Sequence, residues 1–550
     1  MAKKIIIVGG VAGGATAAAR LRRLDEQSHI VLFEKGEYIS FANCGLPYYI
    51  GGVIQNRPSL LVQTVEGMSQ KFNLDIRNKT EVIGILANRK VIIARNIDTG
   101  EQYEESYDEL VLSPGAKPIV PPITGLKDAK NVYTLRNVPD TDRIKVAVTE
   151  QQPGKAVVIG GGFIGLEMAE NLVELGIEVT VVEMAAQVMA PLDYEMACII
   201  HEHLKAKGVR LILNDGVQSF REEGKKIILS SGEELETELT ILSIGVKPEN
   251  ELAVKAGLEI GERGGIIVDR FLQTSEEHIY AIGDAVEVKD YIFGKPAMVP
   301  LAGPANRQGR IVADNIYGKK TEYTGILGTS VAKVFDFTVA TTGHNEKALK
   351  RMGIGYECIH IHPASHAGYY PGASLIAMKL IFDGDKGTIY GAQAVGKDGI
   401  DKRIDVLATA IKGGLTVHDL QELELSYAPP YSSAKDPVNI LGYAASHIVD
   451  KEIEVAHFHQ IDKIVEEGGY LIDVREPQER ENGYIPGSKN IPLGELRDRL
   501  HELPKDRKIY VACQVGHRGY YAARVLDLNG FQAVNVSGGY KTYSQVYGNN

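Results

Sequence analysis

Two glycine-rich turns, each set between an apolar run and a helical pattern, most constrain how this 550-residue chain can fold. The first joins residues 5–8 to residues 15–24, and the second joins residues 156–159 to residues 166–175. Each predicted helix leads to another apolar run that ends on an acidic residue. This order of strand, turn, helix, strand and acid is typical of dinucleotide sites, because glycine lets the backbone approach a pyrophosphate closely. The pattern predicts two Rossmann-like α/β domains.

The second turn has the full glycine spacing and favours NADH. Glu183 follows the last glycine by 18 residues, where its carboxylate can accept hydrogen bonds from a ribose 2′-hydroxyl. A carboxylate there repels a 2′-phosphate, and residues 184–186 supply no arginine to offset it, although NADPH stays open as an alternative. The residues predicted to contact this nucleotide are Gly160, Gly162, Phe163, Ile164, Gly165, Glu183 and Gly245.

The first turn is less regular and is supported by a third segment. Val11 stands where the middle glycine is expected, and Glu34 supplies the acid 20 residues after Gly14. An apolar run at residues 279–282 then delivers Gly283-Asp284. These motifs resemble the two-dinucleotide-binding flavoprotein reductases, which implies that FAD binds here and that Asp284 bonds its ribityl chain. The expected FAD contacts are Gly9, Val11, Ala12, Gly14, Glu34, Lys35, Ser113, Pro114, Gly115, Gly283, Asp284, Pro300, Leu301 and Ala302.

The same resemblance predicts the domain order. An NAD-binding domain at residues 121–243 interrupts an FAD-binding domain at residues 1–120 and 244–325. An α+β dimerisation domain follows at residues 326–447, and a polar stretch at residues 450–459 leads into a separate α/β domain at residues 453–547.

Cys44 is predicted to be the working sulfur. It lies ten residues after Glu34, where a helix start is expected to lower the pKa of the thiol and direct it at the flavin. Cys198 and Cys358 are interpreted as small buried hydrophobes. Ile39 and Tyr49 stand where a second redox cysteine would lie, so Cys44 must cycle through a mixed disulfide, a persulfide or a sulfenic acid.

The sequence around Cys44, Ser-Phe-Ala-Asn-Cys, resembles a single-cysteine subgroup of NADH peroxidases, NADH oxidases and coenzyme A-disulfide reductases. Ala12 replaces the histidine of the peroxidase and oxidase branch, and residues 427–432 look like the coenzyme A branch. That branch implies a homodimer in which Tyr369 and Tyr427 of one subunit face Cys44 of the other, with Tyr370 and Tyr431 as neighbouring alternatives. Candidate contacts for coenzyme A disulfide or persulfide are Thr16, Arg20, Arg23, Ser40, Asn43, Lys71, Asn306 and Arg307.

The C-terminal segment resembles single-domain rhodaneses. Cys513 ends an apolar run and opens a six-residue loop that Arg518 closes, so backbone N–H groups are expected to stabilise a thiolate or persulfide. The resemblance implies sulfur transfer from a small sulfane-sulfur donor. Two alternatives remain at this stage: an NADH oxidase or peroxidase that uses a sulfenic acid, and a non-catalytic persulfide carrier or sensor.

Composition narrows the partners. Sixty basic and 71 acidic residues give a net charge of −11, which disfavours nucleic acid and anionic membranes as partners. The N-terminal apolar run is too short for a signal peptide or a membrane span, so a cytoplasmic location is expected. None of the four cysteines lies within metal-ligand spacing of another, so no metal site is predicted.

Overall fold

The computed structural model describes residues 2–548; Met1, the first residue of the predicted FAD-binding segment, lies outside this range. The chain divides into two compact units. The first comprises the residues up to Val188 together with Gly208–Gly328, and the second comprises Met189–Lys207 together with the chain from Thr329 onward. The helix Tyr194–Ala206, inside the segment predicted to bind NAD, therefore belongs to the second unit.

Two five-stranded parallel sheets form the centre of the first unit. The strands of the first sheet, in spatial order, are Ile279–Ala281, Glu109–Leu112, Lys4–Val8, His29–Phe33 and Asp75–Arg77. Those of the second are Arg210–Leu213, Glu178–Glu183, Lys155–Ile159, Leu239–Leu242 and Val132–Tyr133. The predicted strands and turns of both dinucleotide folds are thereby confirmed.

The apolar runs fold into parallel strands because both faces of each sheet are covered. Ile5, Ile6 and Ile7 are fully buried, and Ile5 pairs with Ile30 on one side and Glu109 on the other. The equivalent strand of the second sheet pairs in the same way, with Ala156 between Val179 and Leu239. Each glycine turn therefore leaves the carboxyl end of a central strand, where parallel sheets bind ligands.

Smaller antiparallel sheets and helices complete the first unit. The helices are Gly13–Leu24, Leu46–Ile50, Val65–Phe72, Val138–Gln151, Phe163–Glu174, Glu251–Lys255 and Ala302–Ile316. The additional strands are Thr80–Leu86, Val91–Asn96, Gln102–Ser106, Ala116–Pro118, Val217–Arg221, Lys226–Leu229, Glu234–Glu236, Val246–Pro248, Ile266–Ile267, Val286–Lys289 and Pro296–Ala297.

The second unit begins with an antiparallel sheet and a group of helices, in agreement with the predicted α+β class. The sheet order is Ser330–Val334, Phe337–Gly343, Ile389–Gly396, Ala377–Phe382 and Glu357–Ile361. The helices of this part are Tyr194–Ala206, Glu346–Met352, Ile400–Gly413, Val417–Glu422 and Pro437–Val449.

A third five-stranded parallel sheet closes the chain. Its order is Glu454–Ala456, Ala533–Val536, Ile509–Ala512, Tyr470–Asp473 and Lys489–Asn490. Its helices are Phe458–Glu466, Pro477–Arg480, His517–Leu528 and Gly539–Tyr547. The polar stretch at residues 450–459 contributes the edge strand Glu454–Ala456, which is too short and too polar to be recognised from sequence. No helix among residues 2–548 is long and apolar enough to cross a membrane.

Candidate active site

The first glycine turn forms one wall of a cavity of about 780 Å³. Gly9 has φ +101°, and a Cβ atom added to it would lie 2.0 Å from the carbonyl oxygen of Ser113. Any other residue at this position would therefore push the turn away from the neighbouring strand. The predicted contacts that line this cavity are Gly9, Val11, Ala12, Glu34, Lys35, Asn43, Ser113, Pro114, Gly115, Gly283 and Asp284.

In each dinucleotide fold, the acidic residue at the end of the strand that follows the turn helix accepts backbone hydrogen bonds from the glycine turn. Glu34 accepts hydrogen bonds from the N–H groups of Gly10 and Gly36 at 2.9 and 2.7 Å. Glu183 accepts them from Gly161 and Ala185, both at 2.8 Å. The carboxylates thus order the turns in addition to standing at the expected ribose position.

The second turn has room for a pyrophosphate. Gly160 has φ +108°, and an added Cβ would lie 2.5 Å from the Ser243 carbonyl oxygen. An added Cβ on Gly162, at the N-terminus of helix Phe163–Glu174, would meet nothing within 4 Å. Packing of the polypeptide therefore explains Gly160, whereas close approach of a ligand explains Gly162. Both turns fit the dinucleotides predicted for them.

Some cavity residues were missed by the sequence reasoning, and some predicted contacts lie elsewhere. Arg136 and Lys35 both bind the carboxylate of Glu249 at the cavity wall, at 2.9 Å in each case. Neither Arg136 nor Glu249 belongs to a recognisable motif, since each reaches the cavity from a loop of the fold. Predicted contacts that do not line it are Gly14, Pro300, Leu301 and Ala302.

Cys44 is exposed and lies in the short 3₁₀ turn Asn43–Gly45, immediately before helix Leu46–Ile50. The pKa of its thiol is raised, first by desolvation of the sulfur and then by the carboxylates of Glu167 and Asp284. The prediction of a lowered pKa is therefore wrong. A five-residue helix has too small a dipole to outweigh desolvation and two negative charges.

Glu167 is the neighbour of Cys44 that sequence reasoning missed. It lies on helix Phe163–Glu174, behind the second glycine turn, and burial together with Glu170 raises its pKa to about 7. Tyr48 donates a hydrogen bond to it, and burial together with Glu167 raises the pKa of Tyr48 to about 12. A carboxyl group with a pKa of about 7 therefore acts electrostatically on the thiol and can accept its proton, whereas Tyr48 stays protonated and donates a hydrogen bond to Glu167.

Some of the predicted coenzyme A contacts already bond other residues of the protein, and the others are exposed. Thr16 hydroxyl donates to Asn306 Oδ1 at 2.6 Å, which joins helix Gly13–Leu24 to helix Ala302–Ile316. Arg20 is already paired with Asp314 at 2.8 Å between the same helices. Ser40 has φ +43° and donates its N–H to the Gly10 carbonyl. The remaining exposed candidates are Arg23, Asn43, Lys71 and Arg307.

The two predicted tyrosines meet in the second unit. Their hydroxyl oxygens are 2.9 Å apart, and Tyr369 and Tyr427 are 77% and 47% exposed. Tyr370 instead contacts the His366 ring edge-on. The alternatives Tyr370 and Tyr431 are also exposed, at 42% and 72%, so the feature peculiar to Tyr369 and Tyr427 is their mutual hydrogen bond.

The rhodanese-like loop surrounds Cys513, which is fully buried at the end of strand Ile509–Ala512. The N–H of Gly516 donates to its sulfur at 3.2 Å. Arg518 forms a bidentate pair with Glu479, at 2.6 and 2.7 Å, and thus does not stand free over the loop. Glu479 is a partner that the loop sequence alone does not reveal.

Comparison with known proteins agrees with this geometry. Residues 3–309 match the pyridine nucleotide-disulphide oxidoreductase family, and residues 329–437 match the dimerisation domain of that family. The chain belongs to the pyridine nucleotide-disulphide oxidoreductase family. Residues 458–545 match the rhodanese-like domain. These matches confirm an FAD-dependent oxidoreductase that uses NADH and carries a rhodanese-like domain.

Relatives of this family member share most of its length. The coenzyme A disulfide reductase of Staphylococcus haemolyticus is 37% identical over 445 residues, which cover 80% of this chain and 99% of the relative. The structure of reduced Bacillus anthracis CoADR-RHD is 61% identical, with a TM-score of 0.99, and covers 99% of this chain and 98% of that chain. A NAD-dependent persulfide reductase from A. fulgidus is 38% identical, with a TM-score of 0.91, and covers 98% of this chain and all of that one.

Proposed function

We propose that this chain uses NADH to reduce coenzyme A disulfide and coenzyme A persulfide through Cys44, with Cys513 supplying sulfane sulfur. The observation that carries the proposal is the exposed thiol of Cys44, the single cysteine of the first unit. Without a second cysteine in that unit, Cys44 cannot form a disulfide within it, so any disulfide on Cys44 requires an external sulfur partner.

The reaction begins when the Cys44 thiolate attacks one sulfur of the substrate. A disulfide substrate yields a Cys44–coenzyme A mixed disulfide and one coenzyme A thiolate; a persulfide yields the same mixed disulfide and hydrosulfide. When FAD is bound in the cavity of the first unit, it would supply the two electrons that reduce this disulfide, and Cys44 would return to the thiolate as the coenzyme A thiolate leaves. Glu167, whose charge acts on the Cys44 sulfur and whose pKa is about 7, can accept the proton that Cys44 gives up.

We infer that the hydroxyl pair of Tyr369 and Tyr427 acts on the departing coenzyme A thiolate from the other subunit of a homodimer. The dimerisation domain supports this assembly, and the exposure of the pair supports its availability to a partner. A phenol can protonate or hydrogen-bond a leaving thiolate. Arg23, Lys71 and Arg307 are exposed cations suited to the phosphates of coenzyme A.

We further propose that Cys513 receives a sulfane sulfur from a small donor and passes it to coenzyme A. The Gly516 N–H bond to its sulfur supports a persulfide anion in the loop. The persulfide formed on coenzyme A then becomes the substrate of Cys44, so that sulfide and coenzyme A leave the cycle.

The experiment compares NADH oxidation by three variants with coenzyme A disulfide and with coenzyme A persulfide. Cys44→Ser is expected to abolish both reactions. Cys513→Ser is expected to preserve disulfide reduction and to abolish sulfur transfer from thiosulfate to coenzyme A. Cys198→Ser is the matched control, because Cys198 is buried on helix Tyr194–Ala206, and it should retain both activities.

Two results would contradict the proposal. Turnover by Cys44→Ser with either substrate would show that another group accepts the electrons. NADH consumption with hydrogen peroxide that matches the rate with coenzyme A disulfide would instead favour the peroxidase alternative.

A further inference from the structure

Three metal-binding side chains of the second unit converge outside the site described above. Cys358 and His360 lie on strand Glu357–Ile361, and His457 directly precedes helix Phe458–Glu466. Because side chains alternate along a strand, Cys358 and His360 project from the same face. One donor atom from each of the three residues lies within 4.8 Å of the other two.

The spacing is close to that of a tetrahedral zinc site. Cys358 Sγ lies 3.8 Å from Nδ1 and 3.9 Å from Nε2 of His457. Zinc–sulfur and zinc–nitrogen bonds of about 2.3 and 2.0–2.1 Å at tetrahedral angles separate the two donors by about 3.6 Å. The two nearly equal distances show that neither nitrogen is directed at the sulfur, so metal binding requires the His457 ring to rotate and one nitrogen to move closer.

His360 has one outer contact of the kind that a metal-ligating histidine makes, because its Nε2 lies 2.9 Å from Glu195 Oε1. Its Nδ1 lies 3.2 Å from Ser537 Oγ and is the nitrogen left for a metal ion, which would replace that contact. A carboxylate partner of this kind fixes the orientation of a ligating imidazole and strengthens it as a ligand. Glu195 is itself fixed by Lys379, whose ammonium lies 2.5 Å from the same oxygen.

The neighbouring acidic group is not the metal site. The carboxylates of Asp193, Glu195 and Glu346 all bind the ammonium of Lys379, which is fully buried. A cation of the chain therefore already fills the space that these carboxylates surround. The thiol and the imidazoles beside it are the groups left to hold a metal ion.

A cavity of about 340 Å³ reaches two of the three proposed ligands. Cys358 and His457 form part of its wall, and His459 and Glu346 line it as well. Because Lys379 already engages Glu346, a water molecule from this cavity is the group left to complete four-fold coordination. The site therefore has an entry path as well as ligands and outer contacts.

We propose that Cys358, His360 and His457 bind a Zn²⁺ ion. Thiolate with imidazole is a ligand set that zinc accepts, and Cys358 releases its thiol proton to solvent when the ion binds. The ion would join the dimerisation sheet to the residue that precedes the first rhodanese helix. The sequence did not predict this site, because Cys358 and His457 are 99 residues apart.

The test uses the full-length, FAD-loaded protein with Cys44→Ser and Cys513→Ser, which removes the two reactive thiols. After treatment with a chelator, this parent is titrated with Co²⁺ and then with Zn²⁺. We expect one Co²⁺ per chain with a thiolate charge-transfer band, displaced by Zn²⁺. Adding Cys358→Ser should abolish the band and weaken Zn²⁺ binding at least tenfold, whereas adding Cys198→Ser should leave both unchanged.

X-ray absorption of the zinc-loaded parent gives a readout that requires no further variant. One sulfur at about 2.3 Å and nitrogens at about 2.0–2.1 Å are expected around the zinc. A zinc shell without sulfur, a thiolate band lost with Cys198→Ser, or equal Zn²⁺ affinities of the parent and its Cys358→Ser derivative would each overturn the proposal.

Discussion

Replacing Lys379 by methionine tests the buried charge cluster of the second unit. The ammonium of Lys379 lies 3.0 Å from Asp193 and 2.5 Å from Glu195, and it also binds Glu346. Methionine fills a similar volume and removes the charge, so the three carboxylates lose their shared cation. Removing one partner of a buried ion pair destabilises a protein by about 3–5 kcal/mol, because an uncompensated charge stays buried.

The pKa of Glu346 gives a second measure of the same effect. The carboxyl is largely desolvated, and Lys379 nevertheless lowers its pKa from an ordinary value of 4.5 to about 2. A shift of that size corresponds to about 3 kcal/mol. Because the folded-state pKa is depressed, this stabilisation is complete above pH 4.5 and is lost as the pH falls toward 2. The difference in stability between wild type and Lys379→Met should therefore become smaller as the pH falls from 4.5 toward 2.

Hydrogen exchange measured by mass spectrometry is suited to this chain, because it reports local stability and a chain of two compact units need not unfold in one step. Backbone amides of strand Ala377–Phe382 and helix Tyr194–Ala206 should exchange about 10²–10³-fold faster in Lys379→Met. Lys350→Met is the matched control, because Lys350 is exposed and pairs with the same Glu346 at 3.2 Å. An exposed pair contributes at most about 1 kcal/mol. Equal acceleration in the two variants would refute the reasoning.

Three further predictions concern the redox centre. Glu167→Gln removes a charge that raises the pKa of Cys44, so alkylation of Cys44 should reach half its maximal rate at a lower pH; Glu174→Gln, on the exposed end of the same helix, should not shift it. Glu183→Gln removes the charge that is expected to repel a 2′-phosphate. The ratio of the KM for NADPH to the KM for NADH should therefore fall about tenfold. An unchanged ratio of the two KM values would show that other residues select the nucleotide. Tyr369→Phe breaks the 2.9 Å hydroxyl contact with Tyr427 and should lower kcat for coenzyme A disulfide about tenfold or more while flavin reduction by NADH stays unchanged; loss of flavin reduction would contradict a role in thiolate release.

The family and its cofactors could be predicted from sequence because the decisive signals are local. A glycine turn needs a strand before it, a helix after it and an acid at the end of the next strand, and all of these lie within about 30 residues. Gly160, Gly162 and Glu183 therefore appear together in the sequence and together in the structure. The same holds for Cys513, whose loop is continuous in the chain.

Tertiary structure alone decided the electrostatics and the contacts between distant segments. The helix expected to acidify Cys44 is recognisable locally, but Glu167, which raises the pKa of the thiol, comes from another domain more than a hundred residues later. Glu479 beside Arg518 and the carboxylates around Lys379 were likewise invisible in the sequence. Burial and charge depend on which segments pack together, and no local pattern encodes that packing. The sequence thus determined which chemistry the chain carries, and the fold determined the protonation and the partners of the groups that perform it.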